Sequence, residues 1–314
     1  MHILVSSPYP LNSPKGNTIT AKRIVHILET VGHAVERIHT DMPPCADAMI
    51  SLHATKTLTT SRRFKACCPK GKLIIYLTGT DLYRDLPANN PEFFEALNLA
   101  DHLVVSQRAS LKSIPKDHLP KTCYVPASVL LPEDEPIPAP PTNSIVLAAH
   151  LRPVKNPFLI NKALKLLPSL NLHAFTLGAA LDPKMAQLAN TWQNQDERFQ
   201  WLDNTSYPQA ISWMRQVDYT LNSSHSEGGS NAIAESVMLG TPVLASRIEG
   251  NIGLLEEDYL GYFEPDSTTS LAKLIDRALN ESDFKSTLKS QTRRLQAKFL
   301  PNNELQAWLN ILNK

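Results

Sequence analysis

Short apolar runs alternate along this chain with longer stretches in which apolar residues recur every three or four positions. The run His2–Ser6 is continuous, without the polar alternation of a half-exposed strand, which predicts a strand covered on both faces. Further strand candidates lie at 34–38, 48–53, 72–77, 103–106 and 123–126. Between the first two, the segment 19–31 sets Ile24, Ile27, Leu28 and Val31 on one helical face, and Gly32 follows where a helix-ending glycine belongs. Helical stretches at 59–66 and 91–99 separate other strands. Such strand–helix–strand alternation predicts a parallel, doubly wound sheet.

At 131–142 the pattern stops. Leu131-Pro132-Glu133-Asp134-Glu135-Pro136 opens a segment with five prolines and no periodicity, read as a stiff interdomain linker over 131–143. Its acidic cluster reads as a solvated charge run rather than a metal site. A second alternating series follows, with strands at 145–149, 172–177, 199–202, 219–222, 242–246 and 262–263. Helices fit at 157–167, 184–193, 208–217 and 231–239, and three more at 267–280, 283–298 and 302–312 finish the chain. The α/β pattern thus predicts two Rossmann-like halves enclosing an interdomain cleft, the preferred place for a small ligand.

Composition narrows the function classes. The 314 residues suit two domains, and 42% hydrophobic residues suffice for two cores. Thirty-one basic against 30 acidic residues give a formal charge of +1, which argues against nucleic acid as a partner. No apolar run approaches the length needed to span a bilayer. The opening Met1-His2-Ile3-Leu4-Val5 carries no basic leader, so a cytoplasmic location is expected. The basic cluster Arg62, Arg63 and Lys65 is too small for stable membrane anchoring. Cys45, Cys67, Cys68 and Cys123 form no C-x-x-C and are expected as reduced, partly buried thiols. Neither half contains G-x-G-x-x-G, a P-loop or a D-x-D, so a nicotinamide, a flavin or a donor metal has no support.

The chemistry concentrates in Ser226-Glu227-Gly228-Gly229-Ser230-Asn231-Ala232-Ile233-Ala234-Glu235. The glycines let backbone amides approach a ligand, and a helix starting at Asn231 turns free N–H groups and a positive dipole end toward phosphate oxygens. Glu235 lies about one turn inside that helix, suited to accept hydrogen bonds from ribose hydroxyls. Glu227, in the loop, can reach sugar hydroxyls.

This segment has the E-x7-E spacing of retaining GT-B glycosyltransferases of the large family four. Its continuation, Leu239-Gly240-Thr241-Pro242-Val243-Leu244-Ala245, resembles the same family. The resemblance covers the whole chain and implies a GT-B fold: a Rossmann-like acceptor domain at 1–130 and a nucleotide-sugar domain at 144–299. The final helix, 300–314, is a candidate to pack back on the first domain. Implied catalytic residues are Glu227 on the donor sugar, Lys155 on the donor phosphate, and Arg152. Implied donor contacts are Glu235 on the ribose with Gly228, Gly229, Ser230, Asn231, Gly16 and His150. Implied acceptor contacts are Lys15, Asn17, His53, Thr78, Asp81 and Arg84. The donor would be UDP-glucose or UDP-N-acetylglucosamine, with no metal and no cofactor.

Four further stretches look like one subfamily: Leu77-Thr78-Gly79-Thr80-Asp81-Leu82-Tyr83-Arg84-Asp85-Leu86, His150-Leu151-Arg152-Pro153-Val154-Lys155, Leu177-Gly178-Ala179-Ala180-Leu181-Asp182-Pro183, and Pro242-Val243-Leu244-Ala245-Ser246-Arg247-Ile248-Glu249-Gly250-Asn251-Ile252-Gly253-Leu254-Leu255. It is the group that includes the selenosugar synthase of selenoneine biosynthesis. The implied reaction joins the sugar of a UDP-sugar to selenium from selenophosphate, with release of UDP and phosphate. Departures from the wider family fit an anionic, already nucleophilic acceptor. Thr78 stands where the turn T-x-H-G-x-D has its histidine, and the first loop reads Lys15-Gly16-Asn17 in place of a glycine pair. His150 occupies the position of an arginine five residues before Lys155 while Arg152 lies three before, and either could supply the second phosphate contact. His53 has two readings, a cleft-facing side chain or a satisfied strand-end histidine. Two other functions stand beside this one: transfer to an alcohol or lipid acceptor, and a nucleotide-sugar-binding module without turnover.

Overall fold

The computed structural model describes residues 1–13 and 16–313. The chain divides into two units, Met1–Leu130 joined by the residues from Lys298 onward, and Leu131–Ala297.

In unit 1 the order is β1 (His2–Ser6), α1 (Gly16–Glu29), β2 (Ala34–Ile38), β3 (Ala48–Leu52), α2 (Leu58–Cys67), β4 (Lys72–Tyr76), α3 (Pro91–Leu99), β5 (His102–Val105) and β6 (Thr122–Tyr124). The strands form one wholly parallel sheet in the order β2-β1-β3-β4-β5-β6. Successive side chains point to opposite faces, so each covered strand needs apolar residues at consecutive positions. Leu4, Met49, Leu73, Ile75 and Leu103 face one cluster with Phe64 of α2 and Phe93 of α3. Ile3, Val5, Ile50, Ile74 and Val104 face the other, with Ile24 and Leu28 of α1.

Unit 2 opens with residues 131–142, which lie along their own unit. The Glu135 N–H donates to Ser212 Oγ at 3.0 Å, Ser206 Oγ donates to Glu135 at 2.8 Å, and Arg215 pairs with Asp134 at 3.2 Å. Glu133 and Asp134 are exposed, as a solvated charge run would be, while half-buried Glu135 ties this segment to α6. There follow β7 (Ser144–Ala148), α4 (Leu159–Lys165), β8 (His173–Leu177), α5 (Pro183–Gln195), β9 (Phe199–Leu202), α6 (Tyr207–Gln216) and β10 (Tyr219–Asn222). The unit ends with α7 (Asn231–Leu239), β11 (Val243–Ser246), α8 (Glu249–Leu255), β12 (Tyr262–Phe263), α9 (Thr268–Asn280) and α10 (Ser282–Leu295). Its parallel sheet runs β12-β11-β10-β7-β8-β9. Each sheet reverses its winding once, between β1 and β3 in unit 1 and between β7 and β10 in unit 2.

The final helix, α11 (Pro301–Leu312), completes unit 1. Trp308, Ile311 and Leu312 cover the same sheet face as α1. Glu304, with no exposed surface, accepts from Arg23 Nε at 2.9 Å, from Ser128 N at 2.7 Å, from Ser128 Oγ at 2.6 Å and from Trp308 Nε1 at 3.3 Å.

The structure corrects the cysteine expectation. Cys45 and Cys68 form a disulfide, while Cys67 and Cys123 are free. Cys68 ends α2 where it meets the loop before β3, bringing two Cα atoms 23 residues apart to 5.2 Å. Among the described residues no helix is long and apolar enough to cross a membrane.

Removing one partner of a buried ion pair strands the other. Glu304→Ala is therefore expected to destabilise the protein by about 3–5 kcal/mol. Urea unfolding followed at the Trp308 fluorescence measures this, and a loss below about 1 kcal/mol would mean that apolar packing alone seats α11.

Candidate active site

In open parallel sheets the crevice for ligands lies beyond the carboxyl ends of the strands, where the winding reverses. In unit 2 that is the space after β7 and β10. The chain leaving β7 passes His150, half-buried, and Arg152, exposed, and enters a short 3-10 turn, Pro153–Lys155. The chain leaving β10 forms the loop that carries Glu227. Three bonds stitch the two segments together. Ser223 Oγ lies 2.9 Å from the main-chain oxygens of both Lys155 and Asn156, the His225 N–H donates to Val154 O at 2.9 Å, and Lys155 Nζ meets Glu227 Oε1 at 2.5 Å. Asn156 ends the turn in the left-handed conformation that asparagine tolerates.

Glu227 is 8% exposed. Its Oε1 also accepts from Ser224 Oγ at 2.6 Å and from Asn222 Nδ2 at 3.3 Å. All three bonds fall on Oε1, and Oε2 holds none among the described residues. Burial pushes this carboxyl group up, but the Lys155 ammonium and the Ser224 and Asn222 donors outweigh it and hold the group below its ordinary value. Asn222 Nδ2 also reaches Ser230 Oγ at 3.1 Å, and Ser230 caps α7 by accepting from Ile233 N. Gly228, Gly229 and Asn231 complete this loop and helix start.

Glu235, one turn into α7, is 7% exposed and accepts from Tyr207 OH at 2.9 Å. On the far side of Glu227 lies α8. A Cβ at Gly250 would sit 1.9 Å from the main-chain oxygen of Glu227, so only glycine lets α8 approach this closely.

The residues expected to bind an acceptor lie in unit 1, around its own winding reversal. His53 follows β3 with φ at +83°, a backbone strain typical of functional positions. It is 2% exposed and its Nδ1 lies 2.8 Å from Asp81 Oδ1, whereas its Nε2 has no partner among the described residues. Neither sequence reading holds in full: one ring nitrogen is satisfied and the other is not. Asp81 accepts in addition from Ala54 N at 3.0 Å and from Thr78 N and Oγ1 at 2.7 and 2.8 Å. Arg84, on a π-helical turn, pairs with buried Asp85 at 2.7 Å, and Thr55 Oγ1 donates to Asp85 at 2.9 Å. His53, Asp81 and Asp85 bring ligand atoms within 4.8 Å of one another, as a metal cluster would. Their carboxylate oxygens are already engaged by hydrogen bonds, and we read the cluster as the frame of a turn. Gly16 and Asn17 open α1. Lys15 lies outside the described residues.

Sequence reasoning missed Asn222, Ser223, Ser224, Tyr207 and Gly250. A polar residue ending an apolar strand was the available signal for Asn222, and the other four are small or neutral side chains with no spacing signature.

Residues 132–295, just over half of the chain, match the model of the family "Glycosyl transferases group 1". The chain belongs to this family. The match covers the turn with Lys155, the Glu227 loop and Glu235 together. Among curated relatives, Protein CapJ of Staphylococcus aureus is 34% identical over 74 residues, 24% of this chain and 18% of CapJ. The D-inositol 3-phosphate glycosyltransferase of Jonesia denitrificans is 27% identical over 173 residues, 51% of this chain and 40% of that enzyme. The matched stretches therefore span less than half the length of either relative. Two solved structures share the GT-B fold along the whole chain. Anabaena HepE in complex with UDP and glucose has a TM-score of 0.79 at 16% identity, covering 100% of this chain and 99% of that one. The sucrose-phosphate synthase of Thermosynechococcus elongatus has 0.77 at 14% identity, covering 99% and 98%.

The Glu227–Lys155 pair carries a pH dependence. With its folded-state value below that of the unfolded chain, Glu227 binds fewer protons in the folded state than in the unfolded state. This stabilisation is fully present above the ordinary value of 4.5 and is lost as the pH falls through the folded-state value. Lys155→Met removes the cation and leaves the desolvation, so Glu227 should titrate at higher pH and part of the acid-range stability should vanish. Urea midpoints across the acid range, compared between the two proteins, test this. Parallel curves would show that Lys155 does not set the charge of Glu227.

Proposed function

We propose that this chain transfers a hexose from UDP-glucose or UDP-N-acetylglucosamine to selenium supplied by selenophosphate. The bond from the anomeric carbon to the UDP oxygen breaks, a carbon–selenium bond forms, and hydrolysis of the selenium–phosphorus bond releases phosphate. The observation that carries the donor side is Glu227, a buried carboxylate whose Oε1 is tied to Lys155 and whose Oε2 is left for a sugar hydroxyl. In this reading the charge growing on departing UDP is met by Lys155, Arg152 and the amides of Gly229–Ser230 at the start of α7. His150 is the alternative to Arg152, and Glu235 takes the ribose. The step uses no metal, consistent with a sequence that lacks D-x-D, and the chain works as a cytoplasmic protein. HepE, of the same fold, was solved with UDP and with UDP-glucose, which supports a uridine donor here. Selenophosphate rests on the four subfamily-like stretches and on Thr78 in place of a histidine.

One observation favours a second reading, transfer to an alcohol. Asp81 on the Nδ1 of His53 orients an imidazole whose Nε2 is unpartnered, an arrangement suited to accept a hydroxyl proton. UDP release with selenophosphate or with simple sugars and polyols as acceptor separates the two. In the first reading only selenophosphate stimulates release, a selenosugar mass appears, a chelator leaves the rate within about twofold, and His53→Gln raises KM for selenophosphate without abolishing kcat. Release driven only by polyols and abolished by His53→Gln establishes the second.

The two glutamates should divide the donor site between them. Glu227→Gln is expected to lower kcat far more than it weakens UDP binding, because its interaction strengthens as positive charge develops at the anomeric carbon. Glu235→Gln removes a charge-assisted hydrogen bond made alike in ground and transition states. It should cost about 1.5–3 kcal/mol, or roughly ten- to a hundredfold in UDP affinity. Calorimetric titration of UDP into both variants, beside initial rates, checks this. Equal losses of affinity would overturn the division.

A further inference from the structure

We infer that Asn251, on α8, is a positioning residue that sets the donor-site carboxylate through Asn222. The inference rests on the reading of Glu227 as the carboxylate that meets the sugar.

The argument is one of hydrogen-bond polarity. At one end of the chain of contacts stands Glu227 Oε1, which as a carboxylate oxygen only accepts. At the other stands the main-chain oxygen of Ser246, which also only accepts. Two amides lie between them. Asn222 gives Nδ2 to Glu227 and to Ser230 Oγ, so its Oδ1 turns toward α8. Asn251 gives Nδ2 to that Oδ1 at 3.2 Å and to Ser246 O at 2.9 Å. Ser246 Oγ spends its proton on Ser224 O at 2.6 Å, and so it too stands as an acceptor toward Asn251, at 3.2 Å. Ser224 Oγ in turn donates to Glu227. Ser246 meets the main chain of Ser224 and not its hydroxyl, so the chain of bonds that reaches the carboxylate runs from Asn251 through Asn222, and only one orientation of each amide satisfies every contact.

Flipping Asn222 would set its carbonyl oxygen against Glu227 Oε1. Asn251 opposes this because its NH2 donates to the Asn222 oxygen at 3.2 Å, a shorter contact than the 3.4 Å from the Ser224 N–H to the same oxygen. Asn251 is wholly buried, yet its Oδ1 has no partner among the described residues. A side chain serving stability alone would not leave a buried acceptor unmatched. What this position uses is the NH2 group. Gly250, immediately before it, brings α8 into contact with the Glu227 backbone and so places Asn251 within reach.

Asn251→Leu keeps a similar volume and removes both the donor and the unmatched acceptor. It also leaves Asn222 Oδ1 and the Ser246 oxygens without that donor, so it should fold with a modestly lower Tm. Its kcat should fall by about tenfold or more while KM for the UDP-sugar stays within about threefold. The Glu227 carboxyl, followed by carbon-13 NMR, should titrate at higher pH. Lys155 is the charged side chain bonded to it, and Glu249 on α8 and His225 in its own loop are exposed. The decisive comparison repeats the substitution on an Asn222→Ala background, where it should change kcat and the titration by less than about twofold. Asn251→Ser is read in the same way should the leucine variant not fold. An unmoved Glu227 titration in the single variant, or equal effects on both backgrounds, would overturn the relay. The NMR comparison needs no turnover, so failure of the relay and failure of the proposed reaction are separate results.

Discussion

A carboxylate withdrawn from water must be matched by donors or it will take up a proton, at a cost of several kcal/mol either way. Glu227 is such a group, and much of unit 2 is arranged to meet its demand. The requirement explains why β10 ends in Asn222 and why Ser224 follows it instead of a continued apolar run. It explains the tight turn that carries Lys155, pinned by Ser223 to the end of the neighbouring strand. It also explains why the cap of α7 and the start of α8 converge on one loop. These segments are distant in sequence, and one negative charge gives them a common destination.

The parallel sheet makes that convergence possible. All strands of a unit end on the same side, so every following loop emerges there, and the reversal of winding leaves a gap between two of them. Unit 1 repeats the device with different contents. At its reversal a strained histidine is steadied by Asp81, whose other bonds hold the Thr78 turn. The same architecture thus carries a lysine–carboxylate pair at the edge of one unit and a histidine–carboxylate pair at the edge of the other.

Most of the secondary structure was legible because strands covered on both faces leave an unmistakable apolar run and amphipathic helices leave a periodic one. α8 escaped because two glycines in seven residues erase helical preference, and one of them, Gly250, serves contact with Glu227 rather than the helix itself. Glu227 and Glu235 stood out because charge beside a glycine pair and a helix start has few structural uses, whereas Lys155 was reached only through the family resemblance. The amides and hydroxyls that orient them stayed silent, since a neutral side chain declares its role only through its neighbours. The Cys45–Cys68 bridge was equally hidden, as a separation of 23 residues has no diagnostic spacing. In the acidic cluster Glu133 and Asp134 are exposed as expected, and only half-buried Glu135 departs from that reading. Charge in a proline-rich segment usually faces water, and only the fold shows Ser206, Ser212 and Arg215 waiting for it.

The placement of α11 on unit 1 has a consequence for biosynthesis. Unit 2 is one uninterrupted stretch and can fold as soon as the ribosome releases it. Unit 1 is made first but finished last. Its sheet face beside α1 stays uncovered while some 170 further residues are translated, and Arg23 waits without the carboxylate of Glu304. Through that interval the nascent chain shows apolar surface to whatever meets it, and chaperones that shield such surfaces become part of its natural history. A chain cut short between Ala297 and Pro301 would carry a finished second unit and an open first one, and quality-control proteases would recognise it by the face that α11 should have closed.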